Sequence, residues 1–158
     1  MKLIAILKEL NVPKPEDAYP LKGPVKSRNL NLKSFKYTFK NKNKDDMTVE
    51  TNVIFSTMYV VFYETKNQGE EEEDSKYDTI TNSGDALKVL ATVVRAVNRT
   101  AEEQLGGMKN VQIIRMAPAD ERRRNVYKHY AKTLFPNFTV KDTGKWIDIY
   151  NNDYKPED

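Results

Sequence analysis

The sequence predicts an α+β domain in which a mostly antiparallel sheet is flanked by two main helices, with an N-terminal helix and an extended arm in front of it. Apolar residues alternate with a period of two before residue 66, which is typical of strands. Two long segments after residue 84 instead carry apolar residues at helical spacing. The predicted order is a helix, three or four strands, a helix, a strand, a helix and two strands.

Three strands are expected to form an antiparallel meander. Residues 34–40, 48–55 and 58–65 are rich in β-branched and aromatic residues. The polar residues 41–46 suit a hairpin turn between the first two of these segments. A further short strand is predicted around residues 77–81.

Two helices are predicted in the second half of the chain. The first covers about residues 85–104, with Ser83 as its N-cap and Gly106 and Gly107 at its end. The second covers about residues 118–135, because proline suits the first turn of a helix. The remaining strands are predicted at residues 111–116, 138–141 and 145–150.

The first 33 residues are predicted to form a helix and a proline-containing arm, outside a domain that spans residues 34–150 and precedes a polar tail at residues 151–158. Apolar residues at the start lie close to helical spacing, and so short a helix needs a docking partner. Prolines and weak periodicity predict an extended arm after it, lying over its own surface or over another subunit. The residues expected to make this interaction are Leu3, Ile4, Leu7 and Leu10.

Charge is distributed unevenly along the chain. Residues 1–44 carry eleven Lys or Arg against three acidic residues, a net of +8, whereas residues 45–85 carry a net of −9. This asymmetry suggests that a basic arm attracts an acidic partner or an acidic segment of the same protein. A solvated surface with uneven charge explains the pattern equally well.

The composition excludes several classes of chemistry. The chain has 158 residues, 39% hydrophobic and 31% charged, which is typical of soluble globular proteins. It has no cysteine, which excludes thiolate nucleophiles and zinc sites that need sulfur. His129 is its single histidine, which excludes metal sites with several histidines. The acidic run at residues 70–74 lacks the ligand spacing of a calcium loop. We expect no metal, no membrane partner and a cytoplasmic location, since residues 3–7 are too short for a signal peptide.

The order of elements over residues 48–150, with Asn125, Val126 and Tyr127 on the second helix, resembles the core of the GNAT acetyltransferase superfamily. This resemblance implies that acetyl-CoA binds where two neighbouring strands splay apart, with its pyrophosphate at the start of the long helix. It also implies that Tyr127 protonates the departing thiolate, whereas helical spacing favours a core role for the same tyrosine. The implied cofactor-binding residues are Asn82, Ser83 and Gly84, followed by Asp85 where the family has no acidic residue.

Residues 79–97 and 113–127 also resemble small uncharacterised proteins of tailed bacteriophages. This resemblance implies a virion component or an accessory factor, in the host cytoplasm or the virion. The first functional interpretation is therefore a noncatalytic interaction protein without a cofactor, which assembles through its N-terminal arm with other copies of itself or with other phage proteins. The alternatives are an acetyl-CoA-dependent acyltransferase and a nucleic-acid-binding accessory factor.

Two groups of basic residues are candidate anion sites. Arg115, Arg122 and Arg123 suit bidentate contacts with phosphate or carboxylate, although consecutive helical residues point about 100° apart. Lysines on the first predicted strand and its turn would follow a phosphate backbone, and Lys36 and Lys40 share one face. Ordinary surface charge is the alternative in both cases. The full lysine group is Lys33, Lys36, Lys40, Lys42 and Lys44.

Overall fold

The computed structural model describes residues 18–65, 86–117 and 121–155. These residues form an α+β fold with one mostly antiparallel sheet of seven strands and two α-helices. The sheet order is β1-β2-β3-β4-β5-β7-β6. The strands are β1 Lys22–Asn29, β2 Leu32–Lys40, β3 Asp46–Ile54, β4 Thr57–Glu64, β5 Ile113–Met116, β6 Phe138–Asp142 and β7 Ile147–Asn151, and the helices are α1 Ala86–Gln104 and α2 Glu121–Leu134.

The predicted meander is confirmed in β2, β3 and β4, which pair antiparallel in sequence order. Their alternating apolar side chains all point to one face of the sheet, which the two helices cover. The opposite face, called here the outer face, carries polar and aromatic residues of the same strands. Burial of one face only explains why the period of two is visible in the sequence.

β1 differs from the prediction, because an extended connection was expected over its residues. It pairs antiparallel with β2, and its register is irregular between Lys22 and Val25, where Pro24 has no N–H for the ladder. Almost all of its side chains are exposed, so the sequence carries no apolar alternation there. The predicted N-terminal helix, the first part of the arm and the short strand at residues 77–81 lie outside the described residues.

α1 confirms the first predicted helix and packs its apolar stripe on the sheet. A buried polar contact fixes its position, because the hydroxyl of Thr100 lies 2.8 Å from both the Tyr37 hydroxyl and the Thr51 hydroxyl. The helix ends where Gly106 and Gly107 adopt positive φ angles, as predicted. The buried residues of the stripe include Val89, Leu90, Val93, Val94, Val97 and Ala101.

α2 and the β6–β7 hairpin confirm the remaining predicted elements, with bounds that differ by a few residues. No helix in the described ranges is long and apolar enough to cross a membrane. Within the same ranges, no three His, Cys, Asp or Glu side chains are grouped as a metal site requires.

Candidate functional site at the β4–β5 gap

β4 and β5 form the only parallel pair among the described strands, and this pair is short. Thr57 to Val60 lie opposite Ile113 to Met116, which makes four residue pairs. β4 continues through residues 61–64, where it pairs with β3 alone. We call the edge of residues 61–64 that faces away from β3 the β4–β5 gap. No described strand lies along it, and such an edge suits an extended polar ligand.

The sequence gives a physical reason for the short pairing. β5 ends at Met116, and Pro118 follows two residues later. Proline has no backbone N–H and therefore interrupts a regular ladder. The position of the gap was not predicted, because it depends on pairing between strands about 56 positions apart. Pro118 was the one sequence signal that indicated an early end of the pairing.

A small apolar pocket with a cavity volume of about 30 Å³ lies between the two helices and the central strands. β4 and β5 contribute Val60, Ile114 and Met116 to its lining, and α2 contributes Tyr127. α1 closes it from the other side with part of its apolar stripe. The pocket therefore lies on the helix-covered face, directly beside the end of the parallel pairing.

Tyr127 lies next to the gap on this covered face. It is 8% exposed, and its ring centroid lies 5.9 Å from that of Phe62. Phe62 belongs to the part of β4 that has no β5 partner. The burial of Tyr127 agrees with a core role. Its position beside the gap also suits a general acid, and that role stays a prediction.

Arg115 contacts side chains of its own protein on the outer face. Its Nε donates to Asp148 Oδ1 at 3.0 Å and its Nη1 to the Tyr59 hydroxyl at 3.4 Å. Hydrogen bonds to Tyr59 and Asp148 raise the pKa of Arg115. Trp146 packs edge-on against Tyr59. The predicted anion site at Arg115 thus already contains a carboxylate, and the side chains of Arg122 and Arg123 lie outside those described.

A tyrosine and a carboxylate lie on the outer face of the gap. The hydroxyl of Tyr63 donates to Glu50 Oε2 at 3.0 Å, and Lys36 Nζ lies 3.5 Å from Glu50 Oε1. Burial, followed by the hydrogen bond to Glu50, raises the pKa of Tyr63 above its ordinary value. Tyr63 therefore keeps its proton and acts as a donor near neutral pH.

The start of α2 is tied to the β6–β7 turn by charge. Arg124 contacts both the Asp142 carboxylate and the Gly144 carbonyl, and Lys128 Nζ lies 3.4 Å from Asp142 Oδ2. The hydrogen bond from the Gly144 N–H, with support from Lys128 and Arg124, lowers the pKa of Asp142. His129 is exposed, and its ring contacts that of Tyr130. Among the described residues it has no partner that would complete a catalytic set.

Two of the lysines that suggested nucleic-acid binding contact carboxylates. Lys36 pairs with Glu50, and Lys40 pairs with Asp46 at 3.0 Å. Two lysines that were not in the predicted group, Lys22 and Lys88, lie near the β2–β3 turn as well. No sequence signal connected them, because they come from β1 and α1.

Several predicted site residues lie outside the described part of the chain. They are the proposed pyrophosphate loop and the proposed docking helix: Asn82, Ser83, Gly84, Leu3, Ile4, Leu7 and Leu10. No protein-family model matches this chain, and no curated protein matches it significantly.

Proposed function

We propose that this chain is a divergent GNAT-type acyltransferase that binds an acyl-CoA at the β4–β5 gap. The supporting observation is that the single parallel pair among the described strands stops after four residue pairs, while β4 continues. In the GNAT superfamily, acetyl-CoA binds where two neighbouring strands splay apart. The two strands of this pair come before and after the long helix α1, as the splayed strands of the GNAT core do.

The residues around the gap fit an acyl-CoA. A strand edge offers backbone N–H and C=O groups that alternate along its length, and the pantetheine arm is an extended chain with two amide groups. The neighbouring apolar pocket has an almost entirely aliphatic and aromatic lining, and its small volume suits only a short acyl group such as acetyl. Contacts of Asn82, Ser83 and Gly84 with the pyrophosphate remain part of the proposal.

The two faces of the sheet supply different chemistry at the gap. When bound, acyl-CoA supplies its acyl group as a thioester. Tyr127 lies on the covered face and would give its proton to the departing sulfur. The outer face carries Tyr63 and Glu50, so a polar acceptor such as an amine would approach from that side. Its nitrogen would bond to the acyl carbon as the carbon–sulfur bond breaks, and the proton that the amine releases balances the one that Tyr127 gives to the sulfur.

The proposal is tested by binding and by thiol release. Acetyl-CoA is expected to raise the melting temperature by mass action. Transfer to a panel of primary amines is followed through the free thiol, and the protein adds no background because it has no cysteine. Absence of both a melting shift and acceptor-dependent thiol at millimolar acetyl-CoA contradicts the proposal.

Two tyrosines on α2 separate the chemical role from the core role. Tyr127→Phe is expected to reduce turnover about 10²- to 10⁴-fold, the usual range for loss of a general acid, with acetyl-CoA binding retained. Tyr130→Phe is the matched control, since Tyr130 lines the same pocket from the same helix. Equal turnover in the two variants contradicts the role of Tyr127.

A second candidate function is the noncatalytic interaction protein, assembled with other copies of itself or with phage proteins. The observation that favours it is a pair of apolar side chains on neighbouring hairpin tips. Leu30 is 87% exposed and Phe55 is 80% exposed. Leu32 pairs with Ile54, which places the two tips side by side. Adjacent exposed apolar residues are typical of contact surfaces.

Light scattering tests this second candidate. The full chain is expected to form an oligomer that dissociates in a Leu30→Ser and Phe55→Ser double variant. A separate truncation of residues 1–17 examines the arm and leaves β1 complete. A monomeric full chain contradicts self-assembly through either surface.

A further inference from the structure

Five lysines line one surface pocket beside the β2–β3 turn, and we call it the lysine pocket. Its lysines come from β1, the end of β2, the turn itself and the first turn of α1. The pocket lies on the opposite side of α1 from β5 and has no residue in common with the apolar pocket. The five are Lys22, Lys40, Lys42, Lys44 and Lys88.

Aromatic packing holds the wall of the lysine pocket in place. The rings of Tyr19 and Phe39 are stacked with centroids 5.8 Å apart. Lys88 Nζ lies 4.5 Å from the centroid of the Tyr19 ring. The Tyr19 backbone N–H donates to Thr92 Oγ1 at 2.8 Å, which joins this wall to α1. The Lys88 ammonium is therefore held at the pocket by a cation–π contact.

The turn that carries two of the lysines is fixed by its own hydrogen bonds. The side-chain oxygen of the buried Asn41 accepts the backbone N–H groups of Asn43 and Asp45, both at 3.0 Å. The Lys44 N–H donates to the Asn41 carbonyl at 3.0 Å, and Lys44 has a φ of 67°. Glycine adopts this conformation without strain, so a lysine here carries a local conformational cost.

The charge of the pocket lining is strongly positive. Among the described residues, five lysines and one acidic residue, Asp46, line it, and Asp46 contacts Lys40. Clustered like charges repel one another, and a bound anion relieves that repulsion. Lysine ammonium groups bind phosphate oxygens as point charges, without the planar geometry that arginine requires.

We propose that the lysine pocket binds a small ligand with several linked phosphates, such as a nucleoside triphosphate or inorganic polyphosphate. A nucleic-acid strand fits less well, because Lys36 on the adjoining outer face is paired with Glu50 and interrupts a positive track. Recognition falls on the phosphates and not on a base, since Phe39 and Lys88 already contact the Tyr19 ring. This inference is independent of the proposed acyltransferase function.

Calorimetric titration of the full chain with tripolyphosphate, ATP and AMP tests the proposal. Tripolyphosphate and ATP are expected to bind with similar affinity, at least about tenfold more tightly than AMP, and more weakly at high salt. Binding of AMP as tight as that of ATP, or a single-stranded oligonucleotide binding far more tightly than tripolyphosphate, overturns the proposal.

Single substitutions locate the site. Lys44→Gln and Lys88→Gln are each expected to weaken tripolyphosphate binding roughly fivefold or more, as for loss of one charge contact. Lys33→Gln is the matched control, because Lys33 is an exposed lysine at the far end of β2. An equal loss in the control shows nonspecific charge attraction and overturns the site.

Acetyl-CoA also carries phosphates, so a competition experiment separates the two pockets. Acetyl-CoA binding is expected to remain unchanged in Lys44→Gln and Lys88→Gln, and tripolyphosphate is expected not to be displaced by acetyl-CoA. If both ligands weaken in these variants and compete in the wild type, the lysines belong to the acyl-CoA site and a separate pocket is excluded. If acetyl-CoA fails to bind at all while tripolyphosphate binds, only the proposed acyltransferase function fails.

Discussion

The apolar pocket beside the gap and the lysine pocket lie on one sheet and are separated by α1, yet they are built in different ways. The apolar pocket is lined by the buried stripes of two helices and the covered face of the central strands. The lysine pocket combines side chains from Lys22 to Lys88 that no periodic pattern connects. Burial creates the first and also stabilises the fold, whereas the second concentrates charge on lysine side chains that lie outside the core. Substitutions should therefore affect stability in one pocket and binding in the other.

The largest expected effect is on the apolar pocket. Ile149 is fully buried in its lining, and Ile149→Ala is expected to lower the free energy of unfolding by about 2–5 kcal/mol through lost transfer energy and a cavity. Urea denaturation measures this loss. Lys88→Gln is the counterpart in the other pocket and should change stability by less than about 0.5 kcal/mol. Comparable losses in the two variants contradict the distinction.

The helix between the two pockets depends on a polar contact. Thr100→Val removes the hydroxyl that lies 2.8 Å from those of Tyr37 and Thr51, and all three residues are buried. The expected loss of stability is about 1–3 kcal/mol, since two buried hydroxyls each lose a partner. Thr100→Ser retains the hydroxyl and should retain most of the stability. Equal denaturation midpoints for the valine and wild-type proteins disagree with this assignment.

Stability and binding should change in opposite directions at the β2–β3 turn. Lys44→Gly relieves the left-handed conformation and is expected to raise stability by up to about 1 kcal/mol. The same change removes a pocket lysine and should weaken tripolyphosphate binding. Thermal melts and titrations on one preparation measure both effects. A variant that loses stability shows that Lys44 contributes to the fold through its side chain.

The smallest expected effect is at Asp142, whose carboxylate contacts Arg124 and Lys128. The pKa of Asp142 is lowered in the folded protein, so its ionised form stabilises the fold above the ordinary carboxyl pKa of about 4. This contribution is lost as the pH falls through the lowered pKa. Asp142→Asn should therefore lower the melting temperature at pH 7, and the difference from wild type should shrink toward pH 3. A difference that stays constant over this range contradicts the ionic contribution.

Most of the fold could be predicted from local patterns. Segments with one buried face, such as β2, β3, β4 and α1, carry their periodicity in the sequence. β1 could not be found in this way, because nearly all of its side chains are exposed and it is held by backbone pairing with β2.

The candidate sites were less predictable, because they depend on contacts between distant segments. Tyr127 was identified by resemblance, but its position next to Phe62 follows from the packing of α2 on β4. Arg115 was expected to bind an anion, and the tertiary structure brings Asp148 to it from 33 positions away. The lysines of the β2–β3 turn were identified from the sequence, whereas Lys22 and Lys88 lie beside them only in the folded protein.

We propose above all that acyl-CoA lies along the edge of β4 that no described strand covers. Backbone amide resonances recorded during a titration with acetyl-CoA test it most directly. Shifts are expected to concentrate at residues 61–64 and around Met116 and Tyr127, while Lys22 and Lys44 stay unchanged. Shifts confined to the lysine pocket, or no shifts in β4 at saturating acetyl-CoA, contradict the claim.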